Sequence, residues 1–350
     1  MAKKSKVVKI GNLRIGGNNP VRIKGMLKSP TGNSKNLIKE AKRLEKEGAE
    51  AIRFAVREEK DAKIYHLLRK HTAVPLVADI HFHYQLALLA IQEGFEGIRL
   101  NPLNIYKKKE VKEIAKLAKQ YGISIRVGVN SGGFKKSFSS PRDLASQMVK
   151  ASEAYVKLLE RENFFDIMVS LKGADVLSTI IANRMLSKKC NYPFHLGVTA
   201  TGPFAEAITK SSVGLGNLLY VGIGDVIRVS LTAPSFWEIR AAKNILQALN
   251  LRKFGPEIIS CPTCSRCEVD LINIVDRFKK RLKKTGFNKP LRIAIMGCVV
   301  NGPGEAYQAD IGVAFGRKKA VIFRKDKILK QSTETKVIDD LIREVGYGFK

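Results

Sequence analysis

Four cysteines near the C-terminus are the residues of this chain whose type and spacing best suit metal chemistry. Cys261, Cys264 and Cys267 lie in the segment Cys-Pro-Thr-Cys-Ser-Arg-Cys, and Cys298 follows 31 residues after the third of them. Thiolates at two-residue intervals, with a distant fourth, can converge on one soft metal centre. A zinc ribbon normally has two Cys-x-x-Cys knuckles, whereas the second half here holds a single cysteine. The spacing leaves zinc and an iron–sulfur cluster both open.

The glycine-rich segment after Cys298 offers an oxygen ligand for the same centre. It reads Asn-Gly-Pro-Gly-Glu at 301–305, a turn that could bring Glu305 back toward the cysteines. Three thiolates and a weaker oxygen ligand suit a cluster that must open one iron to substrate. Cys267 then has two interpretations, a fourth thiolate ligand or a nearby free cysteine.

Cations inside apolar, β-rich runs form a second group of candidate functional residues. Five such runs each carry one, namely Arg53, Arg99, Arg126, Lys172 and Arg228. A buried charge is costly unless it is paired, and the β-rich runs and the residues beside them offer few acids, chiefly Asp79 and Asp225. Each cation could pair with a loop carboxylate. For five converging strands, however, the pattern favours a substrate with two or more phosphate groups, because the arginine fork matches phosphate oxygens two at a time.

Polar residues next to these cations complete the predicted substrate site. Asn101, Asn130 and Ser230 would add neutral hydrogen bonds. His81, in Asp-Ile-His at 79–81, could act as an acid–base group or as a phosphate donor. The alternative is a histidine whose role is structural and which Asp79 holds in place.

The elements that must position these residues alternate between strand and helix. Eight β-rich runs are predicted at 21–26, 51–56, 75–80, 97–101, 124–130, 166–172, 194–199 and 226–231, separated by stretches of helical periodicity such as 36–47 and 111–120. Eight such units in about 230 residues indicate an α/β fold, a (β/α)8 barrel. A doubly wound open sheet is the alternative, but no Gly-x-Gly-x-x-Gly opens a first helix. We expect the barrel at 1–250 and a smaller α+β, cysteine-bearing domain at 256–350.

Size and charge exclude some classes of protein. The 350-residue chain carries a formal net charge of +30, which suits nucleic acid, anionic lipid, a polyphosphorylated substrate or an acidic partner, or simply a solvated basic surface. It has no apolar run of 18 residues and no signal-peptide pattern, so we expect a cytoplasmic protein without membrane contact. In a reducing compartment, clustered cysteines favour a metal over disulfides.

The motifs resemble those of the 4-hydroxy-3-methylbut-2-enyl diphosphate synthase family, iron–sulfur enzymes of the non-mevalonate isoprenoid pathway. The resemblance rests on the segments around the cysteines, 261–266 and 297–306, and on the segments 77–82, 99–102, 126–130, 195–199 and 214–216. It implies a two-electron reductive ring opening of 2-C-methyl-D-erythritol 2,4-cyclodiphosphate, with loss of water. Reduced ferredoxin or flavodoxin would be the electron donor, and nucleic acid is not expected as a partner.

The resemblance also implies roles for individual residues. One 4Fe-4S cluster would be held by Cys261, Cys264, Cys298 and Glu305, with Cys267 as the alternative fourth ligand. Glu305 would have to leave its iron to admit the substrate. The diphosphate would be bound by Arg53, Arg99, Arg126, Asn130, Lys172, Arg228 and Ser230. The family forms a head-to-tail homodimer, in which the cluster domain of one subunit closes over the barrel of the other.

Three positions depart from the family pattern. The first strand normally ends Gln-Ser-Met-Thr, and here it reads Lys-Gly-Met-Leu at 24–27. The loop after strand seven normally carries a glutamate where this chain has Ala200, and Glu206 is the nearest replacement. Cys267 stands where relatives usually have another residue. These differences leave the predicted fold and cluster unchanged and bear on turnover.

Two other classes of protein are compatible with parts of the sequence. A divergent cluster reductase would act on another phosphorylated molecule. A non-catalytic metal-binding protein, such as a basic nucleic-acid-binding protein with structural zinc, would show binding that collapses with salt.

Overall fold

The computed structural model divides the chain into two compact units, Met1–Arg252 and Lys253–Lys350. It describes residues 4–134, 137–299, 304, 306–317, 319–325 and 327–348. Glu305 and the 301–303 segment lie outside the described residues, so the structure gives no position for the predicted oxygen ligand.

An antiparallel hairpin opens the first unit. Its strands are β1 (Val8–Ile10) and β2 (Leu13–Ile15), joined at Gly11, whose φ of 54° lies in the left-handed region that glycine adopts without strain. The apolar side chains that alternate along the hairpin pack against Val77, Met168 and Val226 of the following strands. The sequence prediction, which began its strands at residue 21, missed this hairpin.

Eight parallel strands form the barrel predicted from the sequence, and the prediction of fold class is confirmed. They are β3 (Arg22–Met26), β4 (Ala51–Val56), β5 (Leu76–Ile80), β6 (Gly97–Leu100), β7 (Ser124–Asn130), β8 (Ile167–Lys172), β9 (His195–Leu196) and β10 (Val226–Ile227). Their hydrogen-bonded order is β8-β7-β6-β5-β4-β3-β10-β9. A parallel bridge between Val169 of β8 and Phe194, which directly precedes β9, closes the ring.

Helices connect the strands and cover the barrel. They are α1 (Ser34–Glu47), α2 (Glu59–Arg69), α3 (Tyr84–Glu93), α4 (Lys108–Tyr121), α5 (Pro141–Arg161), α6 (Val176–Ser187), α7 (Phe204–Tyr220) and α8 (Phe236–Ala248). Three of them end at a glycine in the left-handed conformation, Gly48, Gly94 and Gly122, close before the next strand. Because all strands are parallel, their carboxyl ends meet at one end of the barrel, where barrel enzymes place their sites.

The second unit is a five-stranded mixed sheet with helices. Strands β11 (Glu257–Ser260), β12 (Arg292–Met296) and β13 (Ile311–Gly316) are parallel, and β14 (Lys319–Arg324) and β15 (Lys327–Ser332) continue the sheet antiparallel. Helices α9 (Leu271–Lys284) and α10 (Val337–Gly348) contribute Phe278 and Leu341 to the main core of the unit. No helix in the described part of either unit is long and apolar enough to cross a bilayer.

Candidate active site and metal centre

Besides Arg22, which pairs with Glu50 at 2.8 Å, six cations lie on the barrel strands or directly after one of them. Five are at most 8% exposed, namely Lys24, Arg53, Arg99, Arg126 and Lys172, and the sixth, Arg228, is half-buried. Nη1 of Arg126 donates to Nδ1 of His195 at 2.8 Å, although β8 lies between their strands. Such a contact can only cross the inside of the barrel, so these side chains point into its interior.

Asp79 is the carboxylate that binds two of these cations. Its oxygens lie 3.1 Å from Nη1 of Arg53 and 3.3 Å from Nη1 of Arg99. Register explains the second contact, because Asp79 and Arg99 are directly paired on β5 and β6, and Arg99 is paired in turn with Arg126 on β7. Burial alone would raise the pKa of Asp79, but Arg53 and Arg99 outweigh burial and hold that pKa well below its usual range.

A methionine sulfur lies between the guanidinium groups of Arg53 and Arg228, where an anion would be expected. Sδ of Met26 lies 2.8 Å from Nη2 of Arg53 and 3.0 Å from Nη1 of Arg228. A thioether is a weak, uncharged acceptor and offsets little of the charge. Arg228 also donates to the hydroxyl of Ser230.

The positive charge inside the barrel is largely uncompensated. Among the described residues, only Arg53 and Arg99 of the six cations form ion pairs, and both pair with Asp79. In this interior, the buried side-chain nitrogens without a hydrogen-bond partner among the described residues are Nζ of Lys24, Nε of Arg53, Arg99, Arg126 and Arg228, and Nε2 of His195. Burial, and then the neighbouring cations, lower the pKa of Lys24, of Arg126 and of Lys172, and that of Arg228 falls to about 10. Such a cavity is suited to a multiply charged anion.

The other predicted site residues lie at the carboxyl ends of the strands. Asn130 ends β7 and is paired in register with Lys172, the last residue of β8. Asn101 directly follows β6, is buried, and accepts a hydrogen bond from the backbone of Leu103. His81 directly follows β5, is 39% exposed, and places Nε2 4.0 Å from Asp79. The barrel thus brings every predicted substrate-binding residue to its interior or its carboxyl end.

Sequence reasoning missed two members of this interior, Lys24 and His195. Both are 1% exposed. Lys24 lies in an apolar run as the other five cations do, but Arg22 in the same run adds a second cation, so the run lacks their single-charge pattern. Because an arginine can only donate, Nδ1 of His195 must accept the bond from Arg126, which leaves the proton of the neutral ring on Nε2.

The second departure, Ala200, lies on the loop after β9, and its candidate replacement, Glu206, lies on the helix that follows. Ala200 is exposed and has a φ of 52° in the left-handed region. Glu206 lies exposed in the first turn of α7.

In the second unit, neighbouring parallel strands position the cysteines. Cys261 directly follows β11, and Gly297 and Cys298 directly follow β12, its partner in the sheet. The backbone N–H of Gly297 donates to Sγ of Cys261 at 3.3 Å. Cys298 is buried, Cys264 is exposed, and Cys261 and Cys267 are half-buried.

Cys267 lies against the same glycine. A Cβ on Gly297 would come within 2.3 Å of Sγ of Cys267, so only glycine fits beside this thiol. The thiol donates to the backbone oxygen of Val269 at 3.2 Å. Cys261 and Cys267 therefore both contact the residue that precedes Cys298.

The donor set fits a soft metal centre by its chemistry, with cysteine sulfurs at the ends of adjacent strands and a backbone N–H directed at one of them. Within the described ranges, no group of three or more His, Cys, Asp or Glu side chains is arranged so that it could hold a metal ion. The predicted ligand Glu305 lies outside those ranges.

Comparison with known proteins covers both units. The family described as the GcpE TIM-barrel domain matches residues 5–243, and the GcpE protein C-terminal domain matches residues 257–347. A protein of Caldicellulosiruptor saccharolyticus is 46% identical over 99% of each chain. One of Caldanaerobacter subterraneus subsp. tengcongensis is 44% identical over 99% of this chain and 97% of its own length. Both are named 4-hydroxy-3-methylbut-2-en-1-yl diphosphate synthase (flavodoxin).

Solved structures resemble this chain in fold alone. A dihydropteroate synthase of Xanthomonas albilineans, 12% identical, gives a TM-score of 0.52 and covers 70% of this chain and 98% of its own. A truncated 3-deoxy-D-arabino-heptulosonate 7-phosphate synthase of Thermotoga maritima, 14% identical, gives 0.52 over 71% of this chain and 91% of its own. The two domain matches and the full-length relatives together show that this chain belongs to the GcpE family.

Proposed function

We propose that this chain catalyses the reductive ring opening of 2-C-methyl-D-erythritol 2,4-cyclodiphosphate to 4-hydroxy-3-methylbut-2-enyl diphosphate, with uptake of two electrons and loss of water. Full-length relatives that are 44–46% identical carry the name of the corresponding synthase. The observation that carries the proposal is the excess of positive charge inside the barrel. Of six buried or half-buried cations there, only two form ion pairs among the described residues, and both pair with Asp79. A cyclic diphosphate would supply the missing negative charge.

The barrel residues would bind and orient the diphosphate. Arg99 and Arg126 are adjacent in register and each has an unpartnered Nε, which suits bidentate contacts with phosphate oxygens. Lys172 and Asn130, paired at the strand ends, would contact the substrate nearer the opening. Arg53 and Arg228 would exchange the weak sulfur contact with Met26 for a charged oxygen.

His81 would be the acid–base group nearest the strand ends. It is partly exposed, and its Nε2 lies 4.0 Å from a carboxylate oxygen of Asp79. A ring N–H of His81 would donate to a phosphate oxygen or supply a proton when the ring of the substrate opens.

Cys261, Cys264, Cys298 and Glu305 would hold a 4Fe-4S cluster in the second unit. The cluster, when bound, supplies electrons one at a time. The hydrogen bond from Gly297 to Cys261 supports a thiolate at Cys261, because backbone N–H groups stabilise sulfur that carries negative charge. The bond from Cys267 to Val269 uses the thiol proton and supports a protonated, non-ligand Cys267.

Cys267→Ser tests this ligand set. We expect the variant to keep its iron content and its activity, whereas Cys298→Ser should lose both. A three-iron or collapsed cluster in Cys267→Ser would show instead that Cys267 is the fourth ligand.

Flavodoxin or ferredoxin would be the electron donor, and a head-to-tail homodimer the working form. The names of the relatives support flavodoxin. The net charge of +30 favours an acidic partner of either kind. The dimer follows from family resemblance alone, and sedimentation of the cluster-loaded protein tests it.

Anaerobic turnover tests the proposed reaction. The cluster-loaded protein, supplied with the cyclic diphosphate and reduced flavodoxin, should form the linear diphosphate, and Cys298→Ser prepared in parallel should not. Absence of product from wild-type protein with an intact cluster spectrum would refute the assignment and favour another phosphorylated substrate.

A further inference from the structure

Lys24 is an unusual member of the barrel interior. It is the third residue of β3, is 1% exposed, and its Nζ has no hydrogen-bond partner among the described residues. The charged and titratable groups that act on it come from six other strands or strand ends, namely Arg53, Asp79, Arg126, Lys172, His195 and Arg228. Four of these six are cations that repel an ammonium group, and the one carboxylate is already paired with two arginines.

A lysine in this position can avoid the cost of a buried, unpaired charge by losing its proton, whereas an arginine cannot. Burying an ammonium group without a partner costs free energy, and neighbouring like charges add to that cost. An arginine stays charged in proteins, whereas a buried lysine readily loses its proton. Burial, followed by Arg126 and Arg53, lowers the pKa of Lys24 well below its usual value.

We propose that Lys24 is a neutral amine in the ligand-free barrel and takes up one proton from solvent when a diphosphate binds. The bound anion would reverse the local potential, so the ammonium form becomes favourable and can donate to phosphate oxygen. Lys24 would then be a substrate-binding residue whose charge appears only with the substrate in place. This inference rests on the proposed function, because it needs a diphosphate in the barrel.

Linkage gives the sign of the effect. A ligand that binds together with a proton binds more weakly as the pH rises. For one proton, the Kd should rise up to about tenfold per pH unit between the pKa of Lys24 in the free protein and its pKa in the complex. The cyclic diphosphate is a suitable probe, because each phosphorus carries a single strongly acidic group and the ligand does not titrate near neutral pH.

Calorimetric titration of the oxidised, cluster-loaded protein with the cyclic diphosphate measures this uptake directly. Without a reductant no turnover occurs, and two buffers of different ionisation enthalpy give the number of protons bound. We expect uptake approaching one proton for wild-type protein and for the control Lys109→Gln, which alters an exposed lysine. Lys24→Gln should lose this proton, and its Kd should become nearly independent of pH.

Two other groups could take up the proton, and their variants separate the explanations. The pKa values of Lys172 and His195 are also lowered, in both cases chiefly by burial. Uptake that persists in Lys24→Gln and disappears in Lys172→Gln or His195→Gln would overturn the proposal. Binding of the diphosphate by wild-type protein without proton uptake between pH 6 and 9 would also overturn it, while leaving the proposed function intact. Absence of any binding would refute the proposed function and this inference together.

A second measurement does not depend on the folding of Lys24→Gln. In protein labelled with ¹³C at lysine Cε, the resonance missing from Lys24→Arg identifies Lys24. Its chemical shift should be that of a neutral amine without ligand and should move to that of an ammonium group on saturation. A resonance that reports an ammonium group in both states would contradict the proposal.

Discussion

Asp79 pairs with two buried arginines, and replacing it with asparagine should destabilise the barrel strongly. The substitution keeps the shape of the side chain but removes the negative charge that Arg53 and Arg99 contact at 3.1 and 3.3 Å. Both arginines would then remain buried without an anion. Removing one partner of a buried ion pair costs about 3–5 kcal/mol. For a domain of this size, that corresponds to a fall in Tm of roughly 6–20 °C.

Urea denaturation of the cluster-loaded protein, followed by circular dichroism, measures this loss. The matched control is Asp166→Asn, which removes the same charge at an exposed position just before β8 and should change the free energy of unfolding by less than about 0.5 kcal/mol. An Asp79→Asn variant within 1 kcal/mol of wild type would refute the reasoning, since the arginines would then not depend on this carboxylate.

The difference in stability between wild type and Asp79→Asn should depend on pH. The pKa of Asp79 is lower in the folded protein than the value of about 3.9 expected in the unfolded chain. The stabilising contribution of Asp79 is therefore fully present above about pH 4 and is lost as the pH falls through the folded-state pKa. Wild type and Asp79→Asn should converge in stability in acid and differ most near neutral pH.

Other perturbations test the remaining parts of the account. Arg126→Lys should raise the KM for the cyclic diphosphate about 10- to 100-fold in steady-state assays. A lysine cannot reproduce the two-pronged contact of a guanidinium group, and charged hydrogen bonds contribute about 1.5–3 kcal/mol each. An unchanged KM would show that Arg126 does not bind the substrate. Gly297→Ala should lower the free energy of unfolding of the second unit by about 1–3 kcal/mol, since its Cβ would lie 2.3 Å from Sγ of Cys267. Adding Cys267→Ala to Gly297→Ala should restore most of the lost stability, and failure to do so would show that another contact excludes a side chain at residue 297. The control is Gly346→Ala, which has open space around its Cα and should be neutral or slightly stabilising. Raising the ionic strength from 0.1 to 1 M should slow the reduction of this protein by an acidic flavodoxin in stopped-flow experiments, because the Debye length falls from about 10 to about 3 Å. A rate constant that does not depend on salt would contradict electrostatic docking.

The sequence predicted the barrel well because each strand is a short apolar run between turn residues. All eight predicted runs contain an observed strand, in order. The last two strands are much shorter than the predicted runs 194–199 and 226–231. Beyond Leu196, the N–H of Thr199 bonds to the backbone of Gly173 instead of extending the ladder with β10. Such a tertiary preference is not encoded in strand propensity.

The cations of the site could be predicted, but their pairing could not. A charge in an apolar strand is visible in sequence, and it identified Arg53, Arg99 and Arg126. Which of them Asp79 contacts depends on register between strands, and the contact of Arg126 with His195 depends on closure of the barrel. Lys24 shares its run with a second cation, Arg22, and its burial among like charges emerges only when the strands are assembled around it.

The cysteine motif predicted a soft metal centre, and the structure adds contacts that distinguish the thiols. The spacing of the cysteines does not distinguish Cys261 from Cys267. In the folded unit, Cys261 accepts a bond from Gly297, whereas Cys267 donates one to Val269. These contacts depend on how β11 and β12 pair, which the linear spacing of the cysteines does not specify.

Mössbauer spectroscopy of the ⁵⁷Fe-loaded protein, recorded anaerobically before and after addition of the cyclic diphosphate, tests the central claim most directly. We expect a 4Fe-4S cluster with one iron distinct from the other three, because the proposed ligand of that iron is Glu305 and not a fourth cysteine. We also expect the spectrum of this iron alone to change when substrate is added. Four equivalent, substrate-insensitive irons, or stoichiometric zinc without iron, would contradict that claim.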